Sequence, residues 1–410
     1  MANRFINPIP QWVDDRGLPL TGGSIEFFLT GTTTHADTYA DSSETTPNPN
    51  PVLLNAAGRT SSDGINELDV YLNSNFIYRI VLRDIDGVVV RTIDGLTDSV
   101  FNAPNMTPGG RLTLASGTPV LTANGTTSTT VFYTPYMNSY VRLFDGTKWY
   151  SQKFTELSQL TSDALKSPSS AVGTAAVYDM FVWDDAGTLR CTRGPAWSTL
   201  TSRGAAAELV RIDGILVNSL PITNGPASNR GLYVGTIYCS SAGEVKMDLR
   251  QPAALGGSSA IIGVWNYYNR ITVSTESRSS TNASMTSAGS WVKGVSLNGL
   301  CAMVRGIAED EVCAKTLSFL TNSATATGAS SSVSVDGSTT PVGEIDSVFL
   351  PASAGISISL RASYNASPSL IGYHTFESMH RIDSAGTIRS DHAVLGLPNG
   401  TGYTSVEMMA

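Results

Sequence analysis

Two of the four histidines lie close enough in sequence to suggest shared chemistry. His374 and His380 are six residues apart. A metal-binding pair is usually four apart on a helix or two apart on a strand. We therefore predict no metal site, with His374 in a strand and His380 in a turn.

Acidic residues are the second group that could carry chemistry, because carboxylates about 5–10 Å apart hydrolyse glycosidic bonds. The densest run is Glu309-Asp310-Glu311. Consecutive strand residues point to opposite faces, so this run does not place two carboxylates on one surface. Asp84 with Asp86, and Asp184 with Asp185, fall in turns, where Asp accepts backbone hydrogen bonds. We predict no catalytic residue and no enzymatic activity.

Other sequence signatures of reactive sites are missing. His-Glu-x-x-His, Gly-x-x-x-x-Gly-Lys and Gly-x-Ser-x-Gly do not occur in the sequence. These are the signatures of zinc proteases, phosphate-binding loops and serine hydrolases, so we expect no cofactor. The four cysteines, Cys191, Cys239, Cys301 and Cys313, form no Cys-x-x-Cys pair. We expect reduced, buried thiols.

The composition favours an acidic protein built from β-strands and turns. Only 15% of the 410 residues are charged. Abundant Thr fits pleated strands, whereas abundant Ser, Asn and Gly favour turns. The net charge of −8 argues against nucleic acid or an anionic membrane as the main partner. No stretch approaches the about 20 apolar residues of a membrane span, and the start lacks a signal peptide, so we expect synthesis in a cytoplasm.

Residues 18–96 combine short apolar strands and turn signals in a distinctive order. The pieces are Gly22-Gly23 before an apolar strand, Gly31-Thr32-Thr33-Thr34, Thr38-Tyr39 followed by Asp41, Asn50-Pro51-Val52, Ala57-Gly58-Arg59 and a hairpin at Asp84-Ile85-Asp86-Gly87. Their order and spacing resemble the N-terminal anchor module of bacteriophage tail fibres and tailspikes, which attaches the fibre to the virion. The resemblance covers about a quarter of the chain.

This resemblance implies that residues 1–98 dock onto tail, neck or portal-adaptor proteins. The side chains that we expect to support attachment are Trp12, Phe27, Tyr39, Pro51 and Arg59. An aromatic residue on an extended arm buries a large area on docking. Trp12 could equally cap the first sheet of the module.

The remaining chain predicts two further parts, a linker with a hairpin-rich stem over 99–229 and a jelly-roll-like β-sandwich knob over 230–410. Apolar and polar residues alternate around acidic-Gly turns at 79–91, 140–150, 178–191, 208–217 and 379–389. One helix is predicted over 154–166, because its apolar residues fall on one helical face and Pro168 follows it.

A second resemblance, to the stem and knob of uncharacterised phage virion structural proteins, extends over 178–310. Its motifs are Trp183-Asp184-Asp185, Thr192–Trp197, Thr223-Asn224-Gly225-Pro226, Tyr233-Val234-Gly235-Thr236, Trp265–Arg270 and Gly306–Asp310.

The Trp265–Arg270 motif packs three aromatic residues and an arginine into six positions. These residues could stack on a sugar or a protein receptor, or the aromatics could be buried while the motif ends in a turn. We name Tyr268, Arg270 and Arg278 as candidate receptor contacts. The loops near 278–290 and 321–341 are the favoured receptor surface, because they are rich in Ser, Thr and Gly.

Taken with the resemblance, these features predict an all-β structural fibre of a phage virion that adheres to a host surface glycan or protein. Phage fibres of this kind are homotrimers, so the resemblance also implies a homotrimer. A head or neck decoration fibre without a receptor role is the alternative. A polysaccharide depolymerase is less favoured, since the short repeats of a parallel β-helix are missing from the sequence.

Overall fold

The computed structural model describes 3–4, 11–14, 16–41, 43–73, 76–96, 107–123, 125–162, 175–249, 259–278, 283–285, 288–293, 300–322, 326–352, 357–366, 370–383, 388–390 and 403–410. The regular structure of these residues consists of β-strands and one short 3-10 helix, Ala205–Ala207. The prediction of an all-β protein is confirmed. No helix among these residues is long and apolar enough to cross a membrane.

The chain divides into two compact units. The first comprises Met1–Thr107, Tyr140–Arg142 and Trp149–Lys153, and the second comprises Pro108–Ser139, Leu143–Lys148 and Phe154–Ala410. The strands up to Leu96 are β1 (Asn3–Arg4), β2 (Ser24–Leu29), β3 (Thr38–Tyr39), β4 (Val52–Leu54), β5 (Thr60–Ser61), β6 (Tyr71–Leu72), β7 (Tyr78–Arg83) and β8 (Val89–Leu96). The next are β9 (Gly110–Thr113), β10 (Thr126–Ser128), β11 (Thr130–Pro135), β12 (Tyr140–Phe144), β13 (Trp149–Lys153), β14 (Leu157–Leu160), β15 (Ala176–Asp185), β16 (Thr188–Ala196), β17 (Leu209–Ile212), β18 (Ile215–Asn218), β19 (Leu232–Cys239), β20 (Val245–Met247), β21 (Ala260–Ile262) and β22 (Val264–Asn266). The last are β23 (Thr272–Arg278), β24 (Ala283–Met285), β25 (Val292–Lys293), β26 (Cys301–Arg305), β27 (Val312–Asn322), β28 (Thr327–Val335), β29 (Val342–Leu350), β30 (Ser357–Ala366), β31 (Gly372–Ile382), β32 (Ile388–Ser390) and β33 (Tyr403–Met409).

The first unit is built on a five-stranded antiparallel sheet in the order β5-β4-β2-β7-β8, beside a small β1-β6-β3 sheet. Residues of β2, β4 and β7 alternate in burial, as the sequence pattern predicts. Ile25, Phe27, Val52, Ile80 and Leu82 are all buried in one core. This module therefore has an apolar core of its own.

The second unit starts with a small β14-β11-β9 sheet and a six-stranded sheet in the order β16-β15-β19-β18-β17, with β22 also on β19. The predicted helix over 154–166 is wrong in its described part. Its residues from Leu157 to Leu160 form β14, which pairs with β11 so that Gln159 lies opposite Val131. Pairing with a neighbouring strand outweighs the helical spacing of apolar residues.

Four of the five predicted hairpins are confirmed, at 79–91, 140–150, 178–191 and 208–217. The hairpin at 379–389 is wrong. Its second strand, β32, pairs with β24 and β27 rather than with β31. A turn signal predicts the reversal but not the strand that becomes the partner.

The rest of the second unit is a sandwich of an eight-stranded sheet, β10-β20-β21-β26-β31-β28-β29 with β25 on β31, and a six-stranded sheet, β23-β33-β27-β32-β24 with β30 on β27. Buried Ala329, Leu350 and Ile382 of the first sheet pack against Leu360 of the second. The predicted boundaries at 98 and 229 stay predictions. Strands from both sides of residue 229 share one sheet, since Val217 lies opposite Leu232.

The prediction of a receptor loop over 321–341 is wrong for 327–335, because these residues form β28. Ser330, Ser331, Ser332 and Ser334 of this strand are buried. The Ser332 hydroxyl donates to the carbonyls of Val342 and Glu344, both at 3.0 Å. Serine hydroxyls that find such acceptors can be buried in a strand, so a Ser-rich segment need not be a loop. The 278–290 segment is described only in part.

His380 also corrects the sequence analysis. It lies with His374 in β31 rather than in a turn, and both side chains are buried. Because β31 alternates faces, residues six apart point to the same side of the sheet.

The thiols behave as buried hydrophobic groups, as expected for Cys191, Cys239 and Cys301. Burial raises the pKa of Cys191 and Cys239 to about 12, and it raises that of Cys301 as well. Cys313 is partly exposed. At pH 8 we expect a disulfide reagent to label Cys313 quickly in the native protein and all four thiols after denaturation. Fast labelling of two or more native thiols would contradict this packing.

Candidate functional site

The motifs that resemble a phage anchor module make specific backbone contacts in the first unit. The Asn50 side chain accepts from the Phe27 N–H at 3.1 Å and donates to the Phe27 carbonyl at 2.7 Å. It thus continues the hydrogen bonding of β2 beyond the residues that pair with β4, next to a cis Asn50–Pro51 bond. The Asp84 side chain accepts from the Asp86 and Val88 N–H groups and closes the β7–β8 turn.

Gly58, in the Ala57-Gly58-Arg59 motif, lies where the chain crosses Trp12. The Trp12 N–H donates to the Gly58 carbonyl at 2.8 Å. Gly58 has φ of +71°, and an added Cβ would lie 2.4 Å from the Trp12 carbonyl oxygen. Only glycine combines this backbone conformation with such a close approach.

We expect Gly58→Ala to lower the free energy of unfolding of this module by about 3 kcal/mol, from the positive φ together with the clash. Urea unfolding followed by tryptophan fluorescence measures the change. Gly64→Ala is the matched control, because Gly64 also has positive φ but meets nothing within 4 Å. It should cost about 1 kcal/mol. Equal effects of the two substitutions would contradict the close approach at Gly58.

The five expected attachment residues differ in their surroundings. Phe27 is fully buried and supports the module from its core. Trp12 packs partly buried against that core, as in the alternative in which it caps the sheet. Tyr39 is half-buried and Pro51 is exposed, while Arg59 pairs with Glu67 at 2.5 Å. Their role in attachment stays a prediction.

The Trp265–Arg270 motif forms a cluster with an acidic loop in the second unit. We define this aromatic–arginine cluster as Arg211, Trp265, Tyr267, Arg270, Glu309 and Asp310. Trp265 is fully buried, and its Nε1–H donates to the Met409 carbonyl at 2.9 Å. The Tyr267 ring packs 5.4 Å from the Tyr233 ring. The buried alternative is therefore correct for Trp265.

Charged side chains cover the outer side of these rings. The Arg270 guanidinium lies 5.6 Å from the Trp265 ring centroid, contacts Asp310 and reaches Glu309 at 3.7 Å. Arg211 pairs with Glu309 at 3.2 Å and donates to the Tyr267 hydroxyl at 3.4 Å. The acidic run lies between β26 and β27, as predicted for a turn between strands. The carboxylates of Glu309 and Asp310 neutralise arginines, which suits a structural or binding role.

The three candidate receptor contacts do not all belong to this cluster. Tyr268 stacks edge-on against Tyr267 at 4.8 Å. Arg270 is committed to its carboxylate partners. Arg278 ends β23 and pairs with Glu276 of the same strand. Receptor contact by these residues stays a prediction.

A buried ion pair that the sequence analysis missed joins β15 to the loop that follows β16 in the second unit. Asp179, 1% exposed, accepts from Arg203 at 2.7 and 3.1 Å and from the Thr236 hydroxyl at 2.7 Å. The Arg203 guanidinium also lies 4.4 Å from the Trp197 ring centroid. The available signal was a single Asp inside the apolar run Val177–Val182, because a buried charge requires a partner.

Asp179 also lines a small pocket, together with Phe181, Glu208, Asn218 and Ile222. Two of its polar side chains are already bonded: Asp179 to Arg203, and Asn218 to the Leu220 and Ala227 carbonyls and the Gly231 N–H. Among the described residues, no group of three or more His, Cys, Asp or Glu could hold a metal ion.

No protein-family model and no curated protein matches the chain. Weak structural likenesses exist, each at 10% identity. Dimeric latent PorU of Porphyromonas gingivalis aligns with a TM-score of 0.24 over 58% of this chain and 24% of its own. A chain from infectious bursal disease virus, Gx strain, aligns with a TM-score of 0.25 over 100% of this chain and 74% of its own. This chain thus spans about a quarter of PorU, and likenesses at this level do not assign a family.

Proposed function

We propose that the chain is a structural fibre of a bacteriophage virion, attached through residues 1–98 and presenting 230–410 to the host surface. The observation that carries this proposal is the ordered set of anchor-like motifs within one small module. In this module Gly58 allows the close approach of Trp12, Asn50 bonds to the backbone of β2, and Asp84 closes the β7–β8 turn. The motifs therefore specify one folded unit and not scattered turns.

The surface of this module supports attachment to a protein partner. Leu18, Ile85 and Val88 are 57%, 71% and 60% exposed. β8 lies at the edge of the five-stranded sheet, where backbone groups are open to pairing. Ile85 and Val88 lie in the turn that leads into this edge strand, and exposed apolar residues beside an open sheet edge are typical of a binding surface. The partners under this proposal are tail, neck or portal-adaptor proteins of the same particle.

The proposed mechanism is multivalent binding without catalysis. A homotrimer repeated over the particle multiplies weak contacts to a surface glycan or protein. A decoration fibre of the head or neck is the second candidate. It has the same attachment module but no receptor contact.

Co-sedimentation with particles that lack the chain tests attachment. The full chain should sediment with them, and the chain without residues 1–98 should remain in the supernatant. Equal sedimentation of the full and the shortened chain would contradict attachment through residues 1–98. Labelled full chain should also bind host cells without shortening their polysaccharide. Attachment without cell binding would favour decoration, and polysaccharide shortening would favour a depolymerase.

A further inference from the structure

The interior of the sandwich in the second unit contains a continuous set of polar side chains. We call it the polar seam. Each of its members is no more than 4% exposed: Thr275, Ser277, Thr316, Ser318, Ser331, His380 and Thr404. They occupy inward positions of five strands from both sheets, where a sandwich usually has apolar residues.

Strand register makes the seam continuous within the six-stranded sheet of the sandwich, β23-β33-β27-β32-β24 with β30. Thr404 of β33 lies opposite Thr316 on one side and Ser277 on the other. Side chains directly opposite on antiparallel strands are about 4.5–5.5 Å apart at Cβ. Thr275 lies opposite Val406, one inward position further along β33.

His380 joins this row to the eight-stranded sheet. It lies opposite Ser331 of β28, and its Nε2 is 3.4 Å from the Ser318 hydroxyl of β27. Ser318 is the next inward residue after Thr316. The Cys301 thiol, from β26, donates to the Thr404 carbonyl at 2.9 Å and marks a second close contact between the sheets.

Most of the polar atoms of the seam lack a hydrogen-bond partner among the described residues. These atoms are the hydroxyl oxygens of Thr275, Thr316, Ser331 and Thr404 and the Nδ1 of His380. A buried polar group without a partner costs about 1–3 kcal/mol, so a cluster of five is far from the usual state of a protein interior.

The chemistry of the seam restricts what could bind there. Hydroxyl groups and a neutral imidazole both donate and accept hydrogen bonds. The charged residues of these strands occupy the alternating, outward positions, and they are Glu276, Arg278, Lys315, Glu377, Arg381 and Glu407. An ion bound between the sheets would therefore lack a countercharge. The ligand must be small, neutral and able to donate and accept.

We propose that the polar seam binds a row of ordered water molecules that bridge its hydroxyls and the Nδ1 of His380. Buried waters typically make about three hydrogen bonds to otherwise unpaired polar groups. The register places Thr404 opposite Thr316, and Ser331 opposite His380, so that the members of each pair are neighbours. This inference is independent of the proposed function.

Thr316→Val and Thr404→Val in the full chain test the proposal, because valine keeps the shape and removes only the hydroxyl. If water bridges the seam, each substitution should lower Tm by about 2–4 °C. Thr113→Val is the control, since that buried hydroxyl donates to the Thr118 carbonyl at 2.7 Å and should lower Tm similarly. If both seam variants raise Tm, the hydroxyls are unpaired and the proposal is overturned.

A high-resolution crystal structure of the unchanged chain supplies a second measurement that does not depend on folding of the variants. The expected result is water oxygens within about 3.2 Å of the Thr316 and Thr404 hydroxyls and of His380 Nδ1. Protein side chains bonded to these atoms, or apolar contact without water, would overturn the proposal even if the seam variants lower Tm.

Discussion

Arg203→Met is expected to lower the free energy of unfolding of the second unit by about 3–5 kcal/mol. The substitution leaves the Asp179 carboxylate buried, with the Thr236 hydroxyl as its remaining side-chain donor. Burial acts to lower the pKa of Arg203, but the charge of Asp179 and the interactions with Tyr233, acting together, raise that pKa above its ordinary value. The Arg203 guanidinium therefore stays charged in the folded protein, where it pairs with the Asp179 carboxylate. Urea unfolding of the purified full chain measures the loss.

A more exposed ion pair on the β15–β16 hairpin, which also contains Asp179, provides the control. Arg190 and Asp185 are 3.1 Å apart, with side chains 40% and 22% exposed. Exposed pairs contribute about 0–1 kcal/mol, so Arg190→Met should have a small effect. Adding Asp179→Asn to Arg203→Met removes the unpaired charge and should recover part of the loss. Equal effects of the two arginine substitutions would show that Asp179 is not desolvated as described.

Acid is expected to weaken the second unit through His380. Burial lowers the pKa of His380 from 6.5 to about 4. The folded state therefore resists protonation, whereas the unfolded chain takes up the proton below about pH 6.5. Stability attributable to this group falls as the pH drops from about 6.5 to about 4 and then levels off. The interval corresponds to about 3 kcal/mol of unfolding free energy.

Denaturant unfolding at pH values between 4 and 7 measures this dependence. His380→Gln should reduce the slope over that interval, whatever it does to stability at neutral pH. His35→Gln is the control, because the His35 side chain is exposed in the first unit. An unchanged slope in His380→Gln would contradict a neutral, buried imidazole in the sandwich.

Hairpins and the all-β class were predictable from the sequence because they depend on local patterns. Alternating burial with an Asp-Gly or Ala-Gly turn specifies neighbouring strands, as in β7–β8 and β15–β16. The predicted helix over 154–166 failed because its apolar spacing fits a helical face, while β11 provides a strand partner that the local sequence does not reveal. The hairpin at 379–389 failed for the same reason.

The sites were less predictable than the strands. Turn residues such as Asn50 and Gly58 were recognised as motifs, but their contacts with Phe27 and Trp12 join positions distant in sequence. The partner of Asp179 is 24 residues away in a loop. The polar seam arises only when inward positions of five strands meet, and the sequence analysis assigned one of its residues, Ser331, to a loop.

The native mass of the purified full chain, measured by light scattering, tests the proposed fibre most directly. A symmetric fibre predicts three chains of 43.3 kDa, about 130 kDa in total. A mass of 43.3 kDa at micromolar concentration would contradict a trimeric fibre.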